Sequence, residues 1–199
     1  MALGAGLGSR PVATARNFSS GNLRSTGSSL DIAIEGSGFF QVSLPGGETG
    51  YTRAGMFHVS GQGEVVTNEG YQLEPAITIP PNATSLTISR DGIISVTIPG
   101  QGAPQQVGTI EIAQFQNPAG LQARGGNTYI VTNASGDPTT GVPGTDGLGT
   151  LVQGFVEDSD VSVVEEMVNM ILAQRAYEAN SKVVRASDEM LTQVNNLVR

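Results

Sequence analysis

Side chains able to do chemistry are few in this sequence. His58 is the only histidine in 199 residues and there is no cysteine. Mechanisms with two imidazoles, cysteine nucleophiles, thiolate metal sites and disulfides are therefore excluded. His58 lies in Met56-Phe57-His58-Val59. On a strand its side chain points away from Phe57 and Val59, which predicts an exposed histidine in place of a catalytic base. The sequence has no Gly-x-Ser-x-Gly elbow, P-loop or His-Glu-x-x-His. Gly36-Ser37-Gly38 and Gly61-Gln62-Gly63 lack the strand-to-helix setting that cradles phosphate. Eighteen carboxylates are present, but no spacing singles out a pair for glycoside chemistry. The expectation is a protein that is not an enzyme, with no catalytic residue, no cofactor and no metal.

Charge narrows the partners. The net charge is -8, spread unevenly. Residues 1–30 carry Arg10, Arg16 and Arg24 and no acid, whereas residues 31–160 carry thirteen acids against Arg53, Arg90 and Arg124. An acidic body repels nucleic acid and anionic lipid. No run of about 18 apolar residues exists, so no membrane-spanning helix is expected. The opening Met1-Ala-Leu-Gly-Ala-Gly-Leu-Gly8 lacks a basic region followed by a long apolar one, so no cleaved signal peptide is expected.

The elements follow from pattern. With 27 glycines, 10 prolines and 5% aromatics, the composition favours short strands joined by tight turns. Residues 1–29 show no period and read as an extended lead-in that Val12, Phe18 and Leu23 can pin to a body. Residues 30–156 read as a β-rich body. Apolar residues two apart, as in Ile32/Ile34, Leu86/Ile88, Ile94/Val96/Ile98 and Ile110/Ile112, put one face of each strand on a core. Asp91-Gly92 between two such runs predicts a type I′ hairpin. Within the body, residues 133–149 hold five glycines and two prolines and are expected to be a flexible loop without regular structure. Leu151 to Phe155 read as one last strand.

Residues 157–199 differ. No proline or glycine follows Gly154. Ser162-Val163-Val164-Glu165 is a capping box, with Asp158 and Asp160 adding negative charge where a helix dipole favours it. One unbroken helix is expected from Val163 to Val198, about 54 Å long. One apolar stripe runs through Val164, Val168, Leu172, Ala176, Ala179, Val183, Ala186, Met190, Val194 and Leu197. A second, spaced by sevens, runs through Val163, Met170, Tyr177, Val184, Leu191 and Val198. Leu172 lies about 200° around the helix from Met170, so the stripes occupy roughly opposite sides. Two stripes require two partners, and the rest of the chain offers no second helix. The fold class is therefore mainly β: a Gly/Pro-rich β body with one long C-terminal helix, whose stripes are candidate assembly interfaces.

Three ordered segments carry a family resemblance: Asp31-Ile-Ala-Ile-Glu-Gly-Ser-Gly-Phe-Phe-Gln-Val42, Tyr51-Thr-Arg-Ala-Gly-Met-Phe57 and Gly63-Glu-Val-Val-Thr-Asn-Glu-Gly-Tyr71. They resemble the body signature of the bacterial flagellar rod and hook proteins. Glu165-Glu-Met-Val-Asn-Met-Ile-Leu-Ala-Gln-Arg-Ala-Tyr-Glu-Ala-Asn180 resembles the C-terminal assembly helix of the same family. The likeness covers about residues 10–199. Gly8-Ser-Arg-Pro-Val-Ala13, Gln72-Leu-Glu-Pro-Ala-Ile-Thr-Ile-Pro80 and the Gly-rich loop before Gly149-Thr-Leu-Val-Gln-Gly154 resemble the distal-rod branch. Proximal-rod and hook relatives are the alternatives, the body being short for a hook subunit. Family members begin with a helix bearing an Asn-Asn-Leu-Ala-Asn type motif. None is found here, so residues 1–29 are expected to be the linker after a missing N-terminal helix. Family members often read Ser-Asn-Val before the tail helix, where this chain has Ser159-Asp160-Val161.

The resemblance implies a structural role in motility. It implies a homo-oligomer, a helical polymer with tail helices as an inner tube and β bodies as an outer sleeve, transmitting torque from motor to hook. Implied partners are proximal-rod and hook-side axial proteins and the ring proteins of the cell wall and outer membrane. The implied place is the flagellar basal body, in a rod spanning the periplasm, reached by flagellar type III export without a cleaved signal. The competing class is a secreted β-rich adhesin or carbohydrate-binding module, which needs an exposed aromatic platform drawn from only six Phe and four Tyr.

Overall fold

The computed structural model describes residues 18–100 and 102–197, with side chains through Gln193. The chain divides into two units between Ser159 and Asp160. The first unit is a set of short strands: β1 Leu23–Ser25, β2 Ile32–Glu35, β3 Phe39–Ser43, β4 Thr49–Thr52, β5 Phe57–Val59, β6 Val65–Thr67, β7 Gln72–Glu74 and β8 Ser85–Ile88. They continue as β9 Ile93–Thr97, β10 Gln105–Thr109, β11 Ile112–Gln114, β12 Gln122–Gly125, β13 Thr128–Ile130, β14 Thr139–Gly141, β15 Thr150–Gln153 and β16 Phe155–Glu157. The second unit holds one helix, α1, Val163–Leu197.

The sheets are antiparallel. The largest runs β12-β13-β4-β3-β7-β6-β5, with β11 joined to β3 and β14. β3 is its hub: Phe39 and Phe40 pair with β11, while Gln41 to Ser43 pair with β7, and β4 lies on the other side. Because side chains alternate along a strand, Phe39 and Phe40 face opposite ways. Phe40 enters the main core with Ile32, Ile34, Phe57, Leu73, Ile94 and Ile112. Phe39 enters a second, aromatic cluster with Tyr51, Phe115 and Leu121. A three-stranded sheet, β8-β9-β10, lays Ile88, Ile94 and Val96 on the main core, joined by Ile110 just after β10. β15 pairs with β2 and β1 with β16. One close approach explains why position 55 carries no side chain: a Cβ built at Gly55 would lie 1.6 Å from the Ile32 carbonyl oxygen.

Four local expectations are corrected. The Asp91-Gly92 hairpin is present but not as type I′. Only Gly92 has a positive φ, of 82°, and Asp91 is not among the positive-φ residues. Ser89 N–H donates to Ile93 O at 2.9 Å and Gly92 N–H to Ser89 O at 3.1 Å. That is a three-residue loop with its left-handed position on glycine. The type I′ geometry occurs instead at Gly126-Asn127, with φ of 56° and 55°, joining β12 to β13. Residues 133–149 do contain regular structure. Their glycines make turns around β14, which pairs with β11, and Leu148 N–H donates to Thr145 O at 2.8 Å. The strand read over Leu151 to Phe155 is two strands, broken by Gly154 at φ 81°. Within the lead-in, Leu23–Ser25 forms a strand, because β16 supplies a pairing edge that local periodicity cannot reveal. Val12 lies outside the described residues.

Candidate assembly site

The segments entering and leaving the β unit are tied together. β1 and β16 run antiparallel, with Leu23 opposite Glu157 and Ser25 opposite Phe155. Thr26 N–H donates to Gly154 O and Asp158 N–H to Asn22 O, each at 2.9 Å. The chain thus enters and leaves through two adjoining arms.

Arg53, just past β4, fastens them. Its Nε donates to Glu157 Oε2 at 2.8 Å and its Nη2 to Oε1 at 3.0 Å, a bidentate pair. Nη1 donates to the carbonyls of Gly36 and Gly38, both at 3.2 Å. Glu157 Oε1 also accepts the Gly21 N–H at 2.9 Å, and Arg53 Nη2 reaches Ser20 Oγ at 3.4 Å. The two side chains are only 15% and 11% exposed. The guanidinium lies 5.9 Å from the centre of the Phe39 ring. Phe18, on the entering arm, packs edge-on against Phe39 and Tyr129, with ring centres 5.6 and 5.2 Å away. A planar fork with several fixed donors is what such a junction requires, and lysine does not supply it. By contrast the neighbouring Arg24–Asp158 pair is 60% and 47% exposed. Sequence reasoning missed the clamp because its partners are 104 positions apart. The one available signal was that Arg53 is a rare base among many acids, inside the Tyr51–Phe57 motif.

α1 presents the sequence-read stripes. It spans 35 residues, about 52 Å. Ser162 Oγ accepts the Glu165 N–H at 3.4 Å, as the capping motif implies. Val163, Val164, Val168, Met170, Leu172, Tyr177, Val183, Val184, Met190 and Leu191 are all exposed. Val194, Leu197 and Val198 lie outside the described side chains. Met167 and Ile171, which the stripe reading missed, are exposed as well. At 100° per residue they fall between the stripes, so the first three turns of α1 are apolar over more than half of their circumference. Further along, Arg175, Glu178, Lys182, Arg185 and Glu189 recur at three- and four-residue spacing and separate the stripes on one side. Arg175 and Glu178 approach to 3.9 Å and are solvated, so that pair contributes little.

Among the described residues, the remaining polar groups form no catalytic arrangement. The side chain of His58 is on the surface and its ring meets Asn68 Oδ1. Val59, two residues from the buried Phe57, is also exposed, at the end of β5, an edge strand. Burial, with a smaller contribution from the Glu74 carboxylate, holds the Tyr51 phenol above its ordinary range. Phe39, Phe40, Tyr51, Phe57 and Phe115 are buried. These five rings are spent on the two cores and form no sugar-binding platform. Among the described residues no cluster of three or more His, Asp or Glu is placed to hold a metal.

Residues 33–96 match the family described as the flagellar hook protein FlgE/F/G D1 domain. Residues 152–197 match the flagellar basal body rod FlgEFG protein C-terminal family. A Buchnera aphidicola (Schizaphis graminum) protein named flagellar basal-body rod protein FlgG is 51% identical over 192 residues, covering 96% of this chain and 74% of the relative. A protein of the same name in Borreliella burgdorferi is 47% identical over 196 residues, covering 98% of this chain and 74% of the relative. In Bacillus subtilis the identity is 39% over 199 residues, covering 98% and 75%.

Proposed function

Because the chain belongs to the flagellar basal-body rod protein family, we propose that it polymerises helically as a distal-rod subunit and carries torque from motor to hook. It is a structural protein of the flagellum and not an enzyme. The observation that carries the polymer reading is α1: apolar side chains exposed on two opposite sides of one helix, more than a single packing partner covers. In a polymer each stripe meets another helix. The alanines of the first stripe allow close approach there, and the larger side chains of the second fill a wider gap.

The β unit contributes stiffness. Load entering through one arm is shared with the other through β1–β16 pairing and the Arg53–Glu157 clamp, so the arms and the body turn as one piece. Axial neighbours on the proximal-rod and hook sides, and the ring proteins around the rod, are the partners this reading calls for. Its place is the periplasmic length of the basal body, reached by flagellar type III export. The test is to purify basal bodies from cells carrying the chain and to locate it by immunogold labelling. Label along the distal rod is expected. Motile cells whose basal bodies lack the chain would refute the reading.

A further inference from the structure

An acidic subunit that polymerises must bring its copies together without opposing their charges. Glu35, Glu69, Asp137 and Asp146 are exposed on the β unit, so much of its surface repels a second copy. One part is different. Between Glu74 and Glu111 the sequence carries only two charged residues, the adjacent and opposite Arg90 and Asp91. This stretch forms β8, β9 and β10.

The inner face of that sheet is committed to the core through Ile88, Ile94 and Val96. The outer face is uncharged and rich in hydroxyls. Ser85 stands opposite Thr97 and Thr87 opposite Ser95, and Ser95 stands opposite Gln106. Of these, Ser85, Thr87, Thr97 and Gln106 are exposed. Beside the face lies a groove lined by Leu30, Val59, Ile79, Ala83 and Leu86, again without charge, and Val59 in it is 42% exposed. The edge of β8 is closed to strand addition. Gln153 Oε1 accepts the Ile88 N–H at 3.1 Å and Gln153 Nε2 donates to Leu86 O at 3.1 Å. On the β8 side a partner therefore meets the face and groove, not the strand edge.

We infer that the outer face of β8–β10 and its groove form the surface through which the β unit contacts the β unit of a second copy of this chain. The inference rests on the rod reading above and adds the site of contact. Charge selects the occupant. A basic partner would be drawn to the acidic remainder of the unit, whereas an identical acidic copy is accommodated only where the surface is neutral.

The absence of cysteine makes the test direct, since Thr97→Cys and Ser85→Cys each introduce a unique thiol at an exposed position. Glu48→Cys, at the exposed Arg124–Glu48 ion pair away from that face, is the reference. Each variant is treated with a maleimide as free chain and in isolated basal bodies. The expected result is labelling of all three in the free chain and, in basal bodies, loss of labelling at Thr97→Cys and Ser85→Cys but not at Glu48→Cys. Undiminished labelling of both face variants in basal bodies that contain the chain overturns the inference while leaving the rod reading standing. Absence of the chain from basal bodies refutes the rod reading and the inference with it.

Discussion

Removing the Arg53 side chain should unfasten the two arms and cost more than any other single change at the surface of the β unit. Arg53→Ala leaves the Glu157 carboxylate, whose side chain is 11% exposed, with only the Gly21 N–H as a close donor. It also strips donors from the carbonyls of Gly36 and Gly38. Breaking a fully buried pair by deleting one partner costs about 3–5 kcal/mol. The residual exposure and the surviving Gly21 hydrogen bond place this case near the lower end, about 3 kcal/mol. For a chain of this size that is a fall in Tm of about 6–12 °C. Arg24→Ala, at the 60% exposed pair beside it, should change stability by less than about 0.5 kcal/mol. Arg53→Lys keeps the charge but loses the fork, and should recover part of the loss. Urea unfolding followed by near-ultraviolet circular dichroism reads the aromatic cluster of Phe39, Tyr51 and Phe115 directly. A double-mutant cycle with Glu157→Ala isolates the pair from the packing of each side chain. If Arg53→Ala and Arg24→Ala were equally mild, the guanidinium would not be fastening the arms.

Gly55→Ala should prevent folding or cost more than about 4 kcal/mol, since the new methyl would overlap the Ile32 carbonyl oxygen; thermal unfolding of the purified chain checks it. Gln153→Ala should cost about 1–3 kcal/mol by leaving the Ile88 N–H unpaired, again by denaturant unfolding. Leu191→Asp should abolish motility in cells carrying it, because an unpaired carboxylate would be buried at every repeat of the polymer. The melting of the β unit should be unchanged, and normal motility would mean that the second stripe faces solvent. In the isolated chain, hydrogen exchange should be fast across residues 163–197 and slow across residues 30–132, because a long helix draws its stability from packing that the free chain lacks. Equal protection in both, by mass spectrometry, would contradict this.

The sequence disclosed whatever is periodic. Alternation at Ile32/Ile34 and Ile94/Val96/Ile98 located strands, and recurrences at three to four and at seven residues marked the two stripes of α1. What depends on distant pairing was hidden. β1 has no pattern of its own and exists because β16 offers it an edge. Turn type was half legible: Asp91-Gly92 marked the hairpin, but which residues take positive φ depends on the loop length that the flanking strands leave. Glycine density at 133–149 signalled turns and not the absence of structure, since β14 needs only three residues and a partner in β11. The Arg53–Glu157 clamp combines two residue types common in any sequence, and only the fold makes them neighbours. Motif likeness nevertheless pointed to the right family, because it samples many positions at once where each single contact is silent.

The most direct measurement is an electron cryo-microscopy map of basal bodies containing this chain, at a resolution that shows side chains along α1. Both sides of the helix should be covered, with Leu172 and Val183 against one neighbouring helix and Tyr177 and Leu191 against another. A map in which either stripe of the assembled chain lies open to solvent would contradict the two-partner account of the helix.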